Sequence, residues 1–286
     1  MSATPSTTGA HGSYTHGYGD AVLNSHRHRT AQNSAAHLLP HLREGQRLLD
    51  VGSGAGTITA DLARIVGPEN LVALEVSVEA AAITRAELRA QGLRQVEVVV
   101  GDAHDLPFEP GSFDVVHAHQ VLQHVADPVT VLAQMRRVTS EGGLVSVRDS
   151  DYEAFRWYPD VPALDRWREL YLRAARQNGG TPDAGRRLLA WAHRVGFTEV
   201  TPLASTQLYA TPEGRAAWAG AWVGRITGAP LGEQIVREGL GRRRRARVDR
   251  RSLDHLGERP RRLVHPAARG NPGPALSAAV TAVLSP

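Results

Sequence analysis

The stretch "LLDVGSGAGTITADLA", Leu48 to Ala63, passes through three kinds of residue in order. An apolar run ending at Val51 reads as a buried strand. Gly52, Gly54 and Gly56 punctuate a tight turn, and from Thr57 the apolar residues return at helical spacing. Glycine opens backbone conformations closed to other residues and leaves room for a ligand against the chain. The spacing is G-x-G-x-G, not the dinucleotide G-x-G-x-x-G. Without Gly-Lys-Ser/Thr it is not a triphosphate-binding loop either. Alone, such a turn is weak ground for a ligand.

Working outward, the same alternation repeats. Apolar strands are expected at 47–51, 70–75, 96–100, 113–117 and 144–148, with helices at 57–66, 78–91 and 128–138. This alternation implies βαβ units, a mostly parallel doubly wound sheet and helices on both faces, an α/β fold. Upstream, a helix is expected over 20–43, from Val22, Ala31, Ala35, Leu38, Leu39 and Leu42. Beyond Asp151 the pattern changes to helices at 164–178, 185–195 and 212–225, with strands at 199–203 and 205–210.

The chain has 286 residues and no cysteine, so no disulfide or thiolate chemistry is available. There is no apolar run of about 18 residues to span a membrane. The first twenty residues lack the basic start and apolar core of a secretory leader, so a cytoplasmic location is expected. All 33 basic residues are arginine. Residues 241–286 hold 11 of them against Asp249, Asp254 and Glu258, a balance of +8, whereas residues 1–240 carry −4. The nucleic-acid signal of "GRRRRARVDRR" therefore belongs to the tail and not to the body.

Two carboxylates add weight to the glycine turn. "LVALEVS" puts Glu75 at a strand end, where a carboxylate can accept from both ribose hydroxyls; otherwise it is a surface acid. "VVVGDAHDLPF" puts Gly101, Asp102 and Ala103 after the third strand, where Asp102 can accept from an adenine amino group or simply cap a turn.

Together LDVGSGAG, LEVS, GDAHDLPF, FDVVHAHQVLQHVADP and LAQMRRVTSEGGLVSVRD resemble the class I S-adenosylmethionine-dependent methyltransferases, in their ubiquinone/menaquinone C-methyltransferase-like branch. The resemblance covers roughly residues 14–240 and is strongest over 47–150. It implies a Rossmann-like fold and S-adenosylmethionine as cofactor. It places Asp50, Gly52, Ser53, Gly54 and Gly56 around the methionine half, and Glu75 and Val76 at the ribose. Gly101, Asp102 and Ala103 fall at the adenine, and His119 and Gln120 at the sulfonium. Glu75 stands where many relatives have Asp, and either accepts from ribose.

The same resemblance makes "SYTHGYGDAVLNSHRHRTAQNS" a cofactor-covering segment, with Tyr14, His16, Tyr18 and Arg29 as lid residues. Methyl transfer needs alignment and a water-poor pocket, and a base only if the acceptor must lose a proton. His119 is the candidate catalytic residue, with His124 second by type. Arg148, Asp149, Asp151 and Tyr152 are expected on the acceptor rim, and Trp157, Tyr158, Trp167 and Tyr171 as an apolar wall or core. No metal site is expected. The acceptor is expected to be a small molecule. The alternatives are a nicotinamide-dependent oxidoreductase on a similar fold, or a nucleic-acid-binding protein using its tail.

The chain thus divides into a lid (1–43), a methyltransferase domain (44–240) with an acceptor-side insertion near 150–180, and a tail (241–286) expected to be poorly structured. The tail has a further reading. One GC-rich codon assignment for residues 252–273, read from its second nucleotide, gives AWTTWASAPDGWFIPLHGVIP. That string resembles the closing helix and strand of the same branch, as a frameshift near Leu240 would produce, and the shift would cost the final strand.

Overall fold

The computed structural model describes residues 28–228, 230–237 and 275–285. Its centre is a seven-stranded sheet of order β3-β2-β1-β4-β5-β7-β6. The strands are β1 (Leu48–Val51), β2 (Leu71–Glu75), β3 (Glu97–Val100), β4 (Phe113–His119), β5 (Thr139–Arg156), β6 (Glu199–Tyr209) and β7 (Ala275–Ser285). The first five pair in parallel, and β7 runs antiparallel between β5 and β6.

Both faces of the parallel part are covered, so its central strands are apolar almost throughout. Alternate side chains go to opposite faces. Leu48 and Val115 join one core with helices α1 (Ala31–Ser34), α2 (Thr57–Val66) and α3 (Val78–Ala90). Leu49 and Val116 join the other, with α4 (Pro128–Val138) and α6 (Leu188–Val195). The Ser77 side chain caps α3 by accepting from the Ala80 N–H, and Asp127 caps α4. A third cluster packs the end of β5 against α5 (Pro162–Gln177), α7 (Pro212–Gly228) and α8 (Pro230–Arg237). In it Trp167 stacks on Tyr171 and meets Trp222 edge-on.

Several expected elements differ. Of the helix expected over 20–43, residues 20–27 lie outside the described residues; beyond them a Thr30–Asn33 capping box opens only the four residues of α1, and a 3-10 turn with Pro40 follows. Burial of Ala31, Ala35 and Leu38 in the α1–α2 core sets this path, not helical periodicity. β5 extends on both sides of 144–148, and the two strands expected over 199–210 are one. A 3-10 turn, Ala184–Arg187, precedes α6, and α8 was not expected. Most of the basic tail lies outside the described residues, but its last part is not without structure. There "ALSAAVTAVLS", free of charge and proline, forms β7 and fills the slot between β5 and β6 that a lost final strand would have left open.

Candidate functional site

The C-terminal ends of β1 to β4 lie side by side, with Val51 paired to Leu74 and Ala118, and Glu75 to Val100. The turn after β1 is pinned to β2, because Gly52 N–H and Ser53 N–H both donate to the Leu74 carbonyl, at 2.8 and 3.3 Å. Gly101 N–H donates to the Glu75 carbonyl at 2.9 Å. Gly52, Glu75, Val76 and Gly101 therefore follow one another along a single edge, as in other open α/β sheets where ligands bind at strand ends.

A cleft opens at this edge. Arg29, Asp50, Gly52, Ser53, Gly54, Ala55, His117 and His119 are among its lining residues. Gly52 has φ +72°, and a Cβ there would sit 2.5 Å from Val121 Cγ2. Gly54 has φ +57°, but a Cβ there would meet nothing nearer than the Gly52 carbonyl at 4.0 Å, so it faces open space. Gly56 takes the N-cap position of α2.

The buried Glu75 carboxylate accepts from the Gly54 N–H through Oε1 and from the Val76 N–H through Oε2. Burial raises its pKa above the ordinary value, against the two N–H groups that favour the charge. Val76 is 56% exposed beside it. On the next strand end, Asp102 Oδ1 accepts from the His104 N–H at 2.9 Å and pairs with His104 Nδ1 at 2.8 Å. Ala103 is buried.

Asp50 is a hub. Its Oδ2 accepts from Thr59 Oγ1 at 2.6 Å and its Oδ1 pairs with His117 Nδ1 at 2.8 Å. The Ser53 hydroxyl pairs with Thr84, which also donates to the Gly54 carbonyl at 2.9 Å. At the end of β4, His119 is 7% exposed and lines the cleft. Gln120 has a left-handed φ of +57°, uncommon for a residue with a side chain. It is held on three sides: its N–H donates to the Arg148 carbonyl at 2.7 Å, Nε2 to Ser150 at 2.8 Å, and Oε1 accepts from Arg29 at 2.6 Å. Arg29 thereby joins the N-terminal segment to β4. Tyr14, His16 and Tyr18 lie outside the described residues.

The residues expected on an acceptor rim after 148 lie on the continuing β5, where Asp149, Asp151 and Tyr152 are buried and Arg148 is half-buried. Asp149 is fully buried and accepts from the Leu122 and Gln123 N–H groups at 3.3 and 3.1 Å. Burial pushes its carboxyl up to about 7. Asp151 is clamped by Arg186 at 2.7 and 2.9 Å. Tyr152, Trp167 and Tyr171 are buried in the aromatic cluster, Trp157 lies under Arg168, and Tyr158 is 67% exposed. Three residues with clear parts in the site's hydrogen bonding were missed: Thr59, Thr84 and His117. Only His117 carried a signal, as a polar residue inside an apolar central strand.

Residues 49–147 match the methyltransferase domain family. An uncharacterized methyltransferase of Schizosaccharomyces pombe is 31% identical over 223 residues, covering 74% of this chain and 77% of that protein. The chain belongs to the class I S-adenosylmethionine-dependent methyltransferases. A demethylmenaquinone methyltransferase of Geobacillus stearothermophilus is 34% identical over 132 residues, 46% of this methyltransferase and about half (53%) of that enzyme. The fold matches the YcgJ protein of Bacillus subtilis with a TM-score of 0.56 at 18% identity, over 89% of this chain and 98% of that one.

The methyltransferase uses S-adenosylmethionine as methyl donor, and the nicotinamide and nucleic-acid alternatives are set aside. Its family-matched segment contains every cleft residue named above except Arg29. Among the described residues no helix is long and apolar enough to cross a membrane.

Proposed function

We propose that this methyltransferase lays its donor along the strand ends and methylates a small organic acceptor arriving from the β4–β5 side. The methionine half lies over the Gly52–Gly54–Gly56 turn beside Asp50 and Ser53. The ribose lies on Glu75 and Val76, and the adenine beside Gly101, Asp102 and Ala103. Arg29 covers the cleft from the N-terminal side.

The observation that carries this reading is the Glu75 carboxylate, fixed at the cleft edge by the Gly54 and Val76 N–H groups. It is a preorganised acceptor one residue from the exposed face of Val76. The open space over Gly54 supplies the cradle. When bound, the donor supplies a sulfonium methyl for in-line displacement. The chain's part is alignment and exclusion of water. Asp50 and Glu75 bring carboxylates to the cleft, which favour a cationic ligand. His119 and Gln120 stand where the methyl leaves. His119 is the imidazole placed to take a proton from an acceptor that must lose one. The demethylmenaquinone relative supports a small organic acceptor.

Calorimetric titration with S-adenosylhomocysteine tests this placement. Glu75→Ala should weaken binding by about 10- to 100-fold, the scale of a hydrogen bond to a charged group. Unchanged affinity would overturn the ribose assignment. Methyl-labelled donor should pass label to small molecules in an extract; label found only in protein or nucleic acid would overturn the acceptor class.

A further inference from the structure

Three polar residues stand in one row across the central strands, each flanked along its own strand by apolar residues. Asp50 of β1 pairs in register with His117 of β4, and His117 with Ser146 of β5. All three are buried, His117 completely. Burying such a row costs stability unless its polar atoms are satisfied.

The hydrogen bonds orient the His117 ring. The Asp50 carboxylate accepts from the Thr59 hydroxyl through one oxygen and meets His117 Nδ1 through the other. A carboxylate oxygen accepts, so the pair is made by the tautomer with its hydrogen on Nδ1. A neutral imidazole then presents Nε2 as a bare acceptor, its tautomer fixed by the bond on its other side. Ser146, the neighbour across the row, is engaged with His37 Nε2 at 2.8 Å. Among the described residues His117 Nε2 has no partner. An unpaired buried acceptor is destabilising until a donor reaches it. His117 is among the residues lining the same cleft as Gly52 and Gly54, with its side chain fully buried behind that lining.

We infer that His117, oriented by Asp50, binds the cofactor's amino-acid half by accepting a hydrogen bond from its ammonium group through Nε2. This rests on the placement of the donor proposed above. The amino-acid half offers an ammonium, which donates, and a carboxylate, which does not. Only the ammonium complements a bare Nε2, and the Arg29 guanidinium on the same lining suits the carboxylate. Asp50 thus acts on the ligand at one remove, its own oxygens being taken by Thr59 and His117.

Two ligands separate this role from a packing role. S-adenosylhomocysteine carries the ammonium; 5′-methylthioadenosine has the same nucleoside and thioether without the amino-acid half. His117→Leu should weaken S-adenosylhomocysteine binding about tenfold or more while changing 5′-methylthioadenosine binding less than about twofold. His117→Gln, whose amide oxygen can accept, should lose less, again only with the first ligand. Equal weakening of both ligands, or of neither, overturns the inference. A readout free of folding effects uses the wild-type protein with ¹⁵N-labelled histidine. The His117 Nε2 resonance should move on adding S-adenosylhomocysteine and stay in place with 5′-methylthioadenosine; the same response to both, or to neither, overturns it. If the wild type binds 5′-methylthioadenosine but not S-adenosylhomocysteine, the inference fails and the nucleoside placement stands. If it binds neither, the placement itself fails.

Discussion

Gly52 and Gly54 sit two residues apart for different physical reasons, and substitution separates them. Both have positive φ, but only Gly52 faces a neighbour that a Cβ would strike. Gly52→Ala should lower stability by about 1–3 kcal/mol through strain and displacement of Val121, read as a fall in melting temperature. Gly54→Ala should cost less stability and more S-adenosylhomocysteine affinity, because its methyl enters the cleft. Equal effects on both measures would remove the distinction.

Asp149 gives a second test, in pH. Its carboxyl is raised from 3.8 to about 7, first by burial. A raised carboxyl contributes stability that is fully present below its unfolded value and is lost as pH rises through the folded one. At about 1.4 kcal/mol per unit the contribution is a few kcal/mol in order of magnitude. Asp149→Asn keeps an acceptor for one loop N–H but cannot ionise. The wild type should therefore lose stability relative to the variant between about pH 4 and pH 8. A pH-independent difference in melting temperature would refute the assignment. The sequence could not show this residue's role. "VRDSD" reads as charges leaving a strand, and only the β4–α4 loop folding back onto β5 makes Asp149 interior.

Elements were legible where the pattern was local. The β1 turn, α2, α3 and α4 all lie within a residue of their expected bounds, because each starts at a glycine or a side-chain cap and follows an apolar period. Asp127 shows the cap at work, accepting from the Val129 and Thr130 N–H groups. Asp127→Ala should cost about 1 kcal/mol in denaturant unfolding with little change in cofactor affinity. A loss of affinity matching that of Glu75→Ala would mean that α4 helps shape the cleft. Elements were misread where distant contacts decide. Arg186 clamping Asp151 and the Tyr152–Tyr171 contact carry β5 far past its expected end, through residues whose charge resembles a loop. The stretch from Ala31 to Leu42 departs from the expected helix for the converse reason. Its apolar spacing is real, but burial against α2 recruits it as a short turn with a Pro40 break.

At the scale of the molecule, binding and closure of the sheet fall on different parts of the chain. Every proposed cofactor residue among the described ones lies at the ends of β1 to β4 or at Arg29, and none lies in 241–286. The sheet, however, depends on that segment. Among the described residues β6 has β7 as its one strand partner, and β7 joins it to β5. A chain ending at residue 240 should keep its affinity for S-adenosylhomocysteine but expose the edge of β5 and leave β6 without a strand partner. Unpaired edges invite pairing between chains, so the truncated protein should melt lower and self-associate in size-exclusion chromatography. An out-of-frame origin for the tail adds a sharper expectation. Replacing residues 241–286 with the ending encoded in the alternative frame of the gene should raise the melting temperature above that of the present chain. On the codon assignment given above, that ending would carry the tryptophans and apolar strand pattern of AWTTWASAPDGWFIPLHGVIP in place of residues 252–273, and would offer β5 and β6 a strand bearing large side chains. If the replaced protein is no more stable, or if the gene holds no such frame, the tail is the chain's own. Residues 275–285 are then its proper closing strand.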